Sequence, residues 1–185
     1  MTRMTRVVAA AGFAALAMTV PACSGGSARG AAHPFSPSAT ITPPSPSSEP
    51  WSASQLAAIA AYERFWTALP VASRAKTVNG RLAVLVPVTT DPELTQLVTG
   101  LGRQRASGRG LYGTNVPRLL KVDISGTRAV VRDCQDSHGA GIVDLKTGDR
   151  LTVGVARHLV TSVLVLRDSD WKVSTVQYAP SGTRC

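Results

Sequence analysis

The stretch from Arg118 to Tyr178 most constrains what this chain can fold into. It is a succession of short runs rich in Val, Leu and Ile, cut at close intervals by turn-forming residues. Arg118 to Ile124 alternates, with Leu120, Val122 and Ile124 on one side. Ser125-Gly126-Thr127 turns the chain and Ala129 to Cys134 returns it. Gly141 to Asp144 and Arg150 to Val155 flank a tight turn at Lys146-Thr147-Gly148-Asp149, and His158 to Arg167 and Trp171 to Tyr178 flank Asp168-Ser169-Asp170. Period-two runs bounded by Gly, Asp and Ser predict three consecutive antiparallel hairpins.

Ahead of the hairpins the period changes. Leu56, Ile59, Tyr62, Phe65, Trp66 and Leu69 recur at steps of three and four, predicting a helix capped by Ser54 and ended by Pro70. Its aromatics read as core, with a ligand-facing wall as the alternative. Leu82 to Val88 fits a short helix or an apolar strand. Asp91-Pro92-Glu93 predicts a second helix start, with Asp91 as N-cap and Pro92 in the first position. Leu94, Leu97, Val98 and Leu101 form that helix's apolar stripe, Arg103 and Arg105 sit near its end, and Gly108, Gly110 and Gly113 then loosen the chain. Helices first and hairpins after predict an α+β fold, with N-terminal helices laid on one face of a curved antiparallel sheet. With aromatic content at 5%, the core is mostly Val, Leu, Ile and Ala. At 185 residues the chain holds one such domain plus attachments.

The attachments are at the N-terminal side. Arg3 and Arg6 precede an uncharged apolar run from Val7 to Val20, too short to span a bilayer but fitting the hydrophobic region of a signal peptide. The two arginines are not adjacent, so general secretion is expected. Val20-Pro21-Ala22-Cys23 resembles the lipobox of bacterial lipoproteins, and Ser24-Gly25-Gly26-Ser27 continues in the small, polar style that follows such cysteines. Pro21 departs from the commoner Ala or Ser. The resemblance implies a signal peptide over 1–22, diacylglycerol on Cys23, and cleavage that makes Cys23 the new N-terminus. An ordinary secretory signal cleaved after Ala22 is the alternative. From Ser24 to Pro50 the chain is nearly all Ser, Gly, Ala, Pro and Thr, which cannot bury enough apolar surface to offset its ordering entropy. Residues 23–50 are therefore expected to be a lipid-anchored, disordered tether, and 51–185 the folded domain.

The other two cysteines are Cys134 and Cys185. With Cys23 lipidated and the domain exported, they are expected to pair as a disulfide that limits opening of the sheet. Two free thiols are the alternative. A catalytic thiol finds no support, because neither cysteine has a His at a telling spacing.

Val130-Val131-Arg132-Asp133-Cys134-Gln135-Asp136, the Thr147-Gly148 turn, Trp171-Lys172-Val173 and Cys185 together resemble a group of small secreted lipoproteins of actinobacteria. The resemblance covers about Leu56 to Cys185. It implies a nuclear-transport-factor-2-like domain, in which helices close a strongly bent antiparallel sheet into a cone. It also implies a cavity between helices and sheet, but no reaction, since fold is not function.

Enzymes of that superfamily use Asp, Tyr or His inside the cone for isomerisation, cyclisation or dehydration. The weak catalytic candidates here are Asp133, Asp136 and His138, an acid-base pair or metal ligands on one reading and a polar turn on the other. No phosphate-binding loop, nucleophile elbow, His-Glu-x-x-His or Cys-x-x-Cys is present, so no cofactor or metal is expected. From Trp51 onward there are 17 Lys and Arg against 10 Asp and Glu, a net of +7. Export and scarce aromatics beside the arginines argue against nucleic acid. Expected partners are the membrane through the lipid anchor, then anionic lipid, a cell-wall polymer or a small apolar ligand. The sequence reads as a lipoprotein on the outer face of the cytoplasmic membrane that binds without catalysis, with a small cone-fold enzyme as the alternative.

Overall fold

The structure is a computed structural model that describes residues 51–180, 183 and 185. The expected signal peptide over 1–22, Cys23 and the expected tether over 23–50 lie outside the described residues. Helix α1 (Ala53–Arg74) opens on a capping box. Ser52, rather than Ser54, is the N-cap: its Oγ accepts from Gln55 N, while Gln55 Oε1 accepts from Ser52 N at 2.9 Å. The Gln55 amide also donates to Val122 O at 2.8 Å, which fixes the start of the helix over the sheet.

Pro70 does not end α1. The helix runs one more turn to Arg74, although proline supplies no N–H to the turn before it. Packing carries that last turn: Ala72 is fully buried against Leu85 and Leu101, and Ser73 Oγ donates to Pro70 O at 2.8 Å. Residues 78–85 resolve the helix-or-strand ambiguity as helix α2 (Val78–Leu85), whose N-cap Thr77 accepts from Gly80 N. Buried Arg81 reaches back and donates from Nη1 to Ala75 O at 3.1 Å, a cation placed at the negative end of α1. Helix α3 (Glu93–Ala106) starts one residue later than expected. Asp91 still serves it, with Oδ1 accepting from Thr95 N at 3.2 Å and Thr95 Oγ1 at 2.6 Å. Leu101 is buried, and Leu94, Leu97 and Val98 pack around it as the stripe predicts.

The strands are β1 (Arg109–Tyr112), β2 (Leu119–Ser125), β3 (Arg128–Gln135), β4 (Gly141–Asp144), β5 (His158–Arg167) and β6 (Asp170–Tyr178). A four-stranded antiparallel sheet runs β2-β3-β5-β6, and β1 pairs with β4 in a separate two-stranded sheet. The three helices pack on these antiparallel sheets, an α+β architecture. The first and third expected hairpins are present. Asp168 and Ser169 take φ of 49° and 70°, the left-handed pair that a tight β5–β6 turn requires.

Three expectations for the strand region also need correction. Leu120 does not share a face with Val122: the register shifts between Leu119 and Lys121, so Leu119 packs on the core and Leu120 is exposed. The middle hairpin does not form as two strands. Segment 150–155 reaches β4 by a bridge at Val143 and Arg150 and a few backbone bonds, leaving Leu151, Val153 and Val155 exposed. Finally, the glycines after α3 mark a strand rather than a loose coil: Gly108 and Gly113 flank β1 and Gly110 lies within it. Gly113 ends it with φ of 65°, and a Cβ there would lie 2.1 Å from Gly139 O.

The main core lies between α1 and the inner face of the larger sheet. Ala58, Tyr62, Phe65 and Trp66 meet Ala129 and Val131 of β3, Val160 and Leu164 of β5, and Val173 of β6. Segment 88–90 extends the sheet beyond β6, with Thr90 N donating to Val173 O at 2.9 Å and Val173 N donating to Val88 O at 3.0 Å. Cys134 and Cys185 are joined as a disulfide with Cα atoms 5.7 Å apart.

Candidate functional site

Alternation along β3 turns Ala129, Val131, Asp133 and Gln135 toward the helices. Their partners across the ladder to β5 are Leu164, Ser162, Val160 and His158. Asp133, Gln135 and Ser162 are thus polar residues in the apolar phase of two central strands, and all three are fully buried. The Tyr62 hydroxyl donates to Asp133 Oδ2 at 3.0 Å, and Arg118 N donates to Asp133 Oδ1. Burial pushes the Asp133 carboxyl above the usual carboxylate range, opposed by the bonds from Arg118 N and Tyr62 and by the nearby His158. Burial, and then Asp133 itself, push the Tyr62 hydroxyl strongly upward. Trp66 Nε1, Gln135 Nε2, Ser162 Oγ and both ring nitrogens of His158 have no partner among the described residues.

The three sequence candidates are not brought together. Asp133 is inside the sheet, with an oxygen committed to each of its two donors. Asp136 sits at the surface, where Oδ2 pairs with Arg118 Nη2 at 3.0 Å and Oδ1 meets His138 Nδ1 at 2.9 Å. Asp136 Oδ1 also accepts from His138 N at 3.1 Å, the local bond of an Asx turn. The bonds from His138 hold the Asp136 carboxyl below its ordinary value. The polar-turn reading therefore describes Asp136 and His138, and the Tyr62 contact describes Asp133. Among the described residues, no group of three or more His, Cys, Asp and Glu is placed to hold a metal ion.

Loss of the Tyr62 hydroxyl tests this account. A carboxyl raised by burial contributes stability that is fully present below its unfolded value of about 3.9 and is lost as pH rises through the folded value. Tyr62→Phe removes a bond to the ionised form and raises Asp133 further, so the loss deepens with pH. Urea titrations should show a deficit of about 1–3 kcal/mol at pH 7.5, shrinking toward pH 4. A deficit independent of pH would separate Tyr62 from the Asp133 charge.

One cavity, of about 210 Å³, opens beside this cluster. Its walls are Trp66, Leu69 and Pro70 from α1, Leu111 and Tyr112 from β1, and Ala140, Gly141 and Ile142 leading into β4. Thr114, Asn115 and Ser137 supply small polar side chains, Tyr178 adds a second tyrosine to Tyr112, and Gly154 completes the lining. No Asp, Glu, His, Lys, Arg or Cys lines it. The cavity adjoins the buried polar cluster at three places. Trp66 stands edge-on to Tyr62, with ring centres 5.8 Å apart. Ser137 Oγ lies 3.4 Å from Gln135 Oε1, and the Tyr178 ring is 5.5 Å from that of His158. Of the aromatics of α1, Tyr62 and Phe65 are core, as expected, and Trp66 is both core and cavity wall. Gln135, Ser137 and Ser162 escaped the sequence reading. The available signal was a polar side chain in phase with Val131, Val160 and Leu164.

No family model matches the chain, and no curated protein matches it. Solved structures do resemble it. The intermembrane space region of the chloroplast protein ARC6 is similar at 17% identity and a TM-score of 0.51, over 69% of this chain and 97% of that one. That likeness is one of fold. An NTF2-like protein of unknown function from Shewanella baltica is similar at 12% identity and a TM-score of 0.36, over 68% of this chain and 94% of that one. A protein of unknown function with a cystatin-like fold from Nostoc punctiforme is similar at 14% identity and a TM-score of 0.35, over 68% and 91%. The last two are too loose to argue from.

Proposed function

We propose that this chain is an exported lipoprotein, anchored through Cys23, whose domain binds a small and largely apolar ligand without transforming it. The observation that carries the binding reading is the lining of the cavity: aliphatic and aromatic walls, the neutral polar side chains of Thr114, Asn115 and Ser137, the tyrosines Tyr112 and Tyr178, and no carboxylate, imidazole, amine, guanidinium or thiol. A cavity of about 210 Å³ is smaller than the roughly 300–1,000 Å³ usual for drug-sized ligands, so it suits a compact molecule or one segment of a longer chain. The enzyme alternative required an Asp or His in the cavity. Asp133 and Tyr62 are spent on each other behind its wall, and His138 is on the surface. The lipobox-like Val20-to-Cys23 junction and the Ser/Pro-rich tether support the anchored, exported reading.

Mass spectrometry on the protein purified from membranes of its native host tests both halves. The expected covalent product starts at Cys23 and carries the mass of its acyl groups. The expected native spectrum contains a non-covalent adduct, absent from an Asn115→Trp variant whose indole fills the cavity. An unmodified chain cleaved elsewhere would refute the anchor. An adduct that survives Asn115→Trp, in a variant that melts at the wild-type temperature, would place the ligand elsewhere.

A further inference from the structure

Residues 145–157 form an unbroken exposed surface apart from Gly154. Within it Leu151, Val153 and Val155, at alternate positions, are 47%, 64% and 60% exposed respectively, and Leu145 is 37% exposed. Lys146, Arg150 and Arg157 are interspersed with them, against the single acid Asp149. The neighbouring Asp144 turns its Oδ1 onto Lys146 N at 2.7 Å and Thr147 N at 3.0 Å, so it is occupied by its own turn. The segment is held from one side only: Leu151 N donates to Ile142 O and Gly154 N to Ala140 O, both at 2.8 Å. Val153 N and Val155 N have no backbone acceptor among the described residues. Apolar side chains with basic neighbours, presented on a one-sided support, match an interface whose interior is apolar and whose surface is negative.

We propose that this loop docks the domain onto the anionic phospholipid bilayer in which the chain is anchored, with Leu151, Val153 and Val155 inserting among the lipids and Lys146, Arg150 and Arg157 meeting their phosphates. The proposal rests on the anchored reading above. The chain between Cys23 and Trp51 argues for a bilayer over a soluble partner. At about 5–6 Å times the square root of residue number, a Ser- and Gly-rich linker of that length has a root-mean-square span of roughly 30 Å. Tethering of this kind gives effective concentrations of about millimolar, at which a modest patch suffices. Docking would also bring the cavity to the lipid surface, because Gly141, Ile142 and Gly154 belong to the same lobe and line it.

Amide exchange of the lipidated full-length protein in nanodiscs tests the proposal. The unpartnered amides of 153 and 155 exchange fast in the free protein. On phosphatidylglycerol discs, peptides covering 150–157 are expected to exchange at least tenfold more slowly than on phosphatidylcholine discs. Val153→Asp with Val155→Asp should abolish the difference without lowering Tm, since both side chains are exposed. Leu56→Asp, at an exposed apolar site on α1, should leave it unchanged. Equal exchange on the two kinds of disc overturns the proposal. Protection that ignores lipid charge but rises with protein concentration assigns the loop to a second copy of the chain and overturns it too. A chain that does not enter discs refutes the anchor instead. The loop is then measured on added phosphatidylglycerol vesicles, where lack of protection overturns docking by itself.

Discussion

Breaking the Cys134–Cys185 bridge is expected to destabilise the domain by up to about 4 kcal/mol. The two cysteines are 51 positions apart, and closing a loop of that length in the unfolded chain carries this entropic value on the chain-entropy model. The loop contains β4, β5 and β6, so the bridge spans half of the larger sheet. Cys134 lies opposite Leu159 in the β3–β5 ladder, and Ala179 N donates to Leu159 O at 3.0 Å just before the chain heads for Cys185. Cys185→Ser and Cys134→Ser should therefore lower the urea midpoint by similar amounts. The double variant should cost no more than either single one. Additive losses would show that each thiol matters for its own packing and not through the bond. Reduction of the folded wild-type protein should reproduce the single-variant loss.

Phe65→Ala is expected to cost about 3–5 kcal/mol, as truncation of a buried aromatic ring does when its surroundings relax only in part. Phe65 is 1% exposed and stands edge-on to Trp66 with ring centres 5.0 Å apart. Trp66 is in turn a wall of the cavity, so the loss has a second readout. Calorimetry or urea titration measures the stability. Native mass spectrometry of the variant should show a diminished adduct even at temperatures where it remains folded. Unchanged adduct with reduced stability would mean that the indole holds its place without the phenyl ring.

Local periodicity made much of this fold legible. The stripe from Leu56 to Leu69 marked α1, Leu94 to Leu101 marked α3, and Ser125-Gly126-Thr127 and Asp168-Ser169 marked two hairpin turns that exist. What failed to show was decided by distant contacts. Pro70 stays inside α1 because Ala72 finds Leu85 and Leu101, which no window around Pro70 contains. Leu151, Val153 and Val155 alternate like a buried strand, yet all three are exposed. The opposite happened at Asp133, Gln135 and Ser162. Asp133 was open to a polar-turn reading and the other two drew none, while the strand phase they share with Val131 and Val160 put all three inside. The cavity was legible only as an expectation from resemblance, because its walls come from α1, β1 and the lobe around β4, which are far apart along the chain.

The lobe that carries the cavity rim has an architectural consequence. It leaves the larger sheet after Gln135 and returns at His158, and these two residues face each other on one rung of the β3–β5 ladder. Chain added or removed between them shifts no rung of the sheet. Because the entropic penalty for closing a longer loop rises only slowly with its length, the excursion is free to vary in size. The fold thus separates inheritance from novelty: the helix-backed sheet can be handed down unchanged while the lobe is rewritten for new ligands and new surfaces.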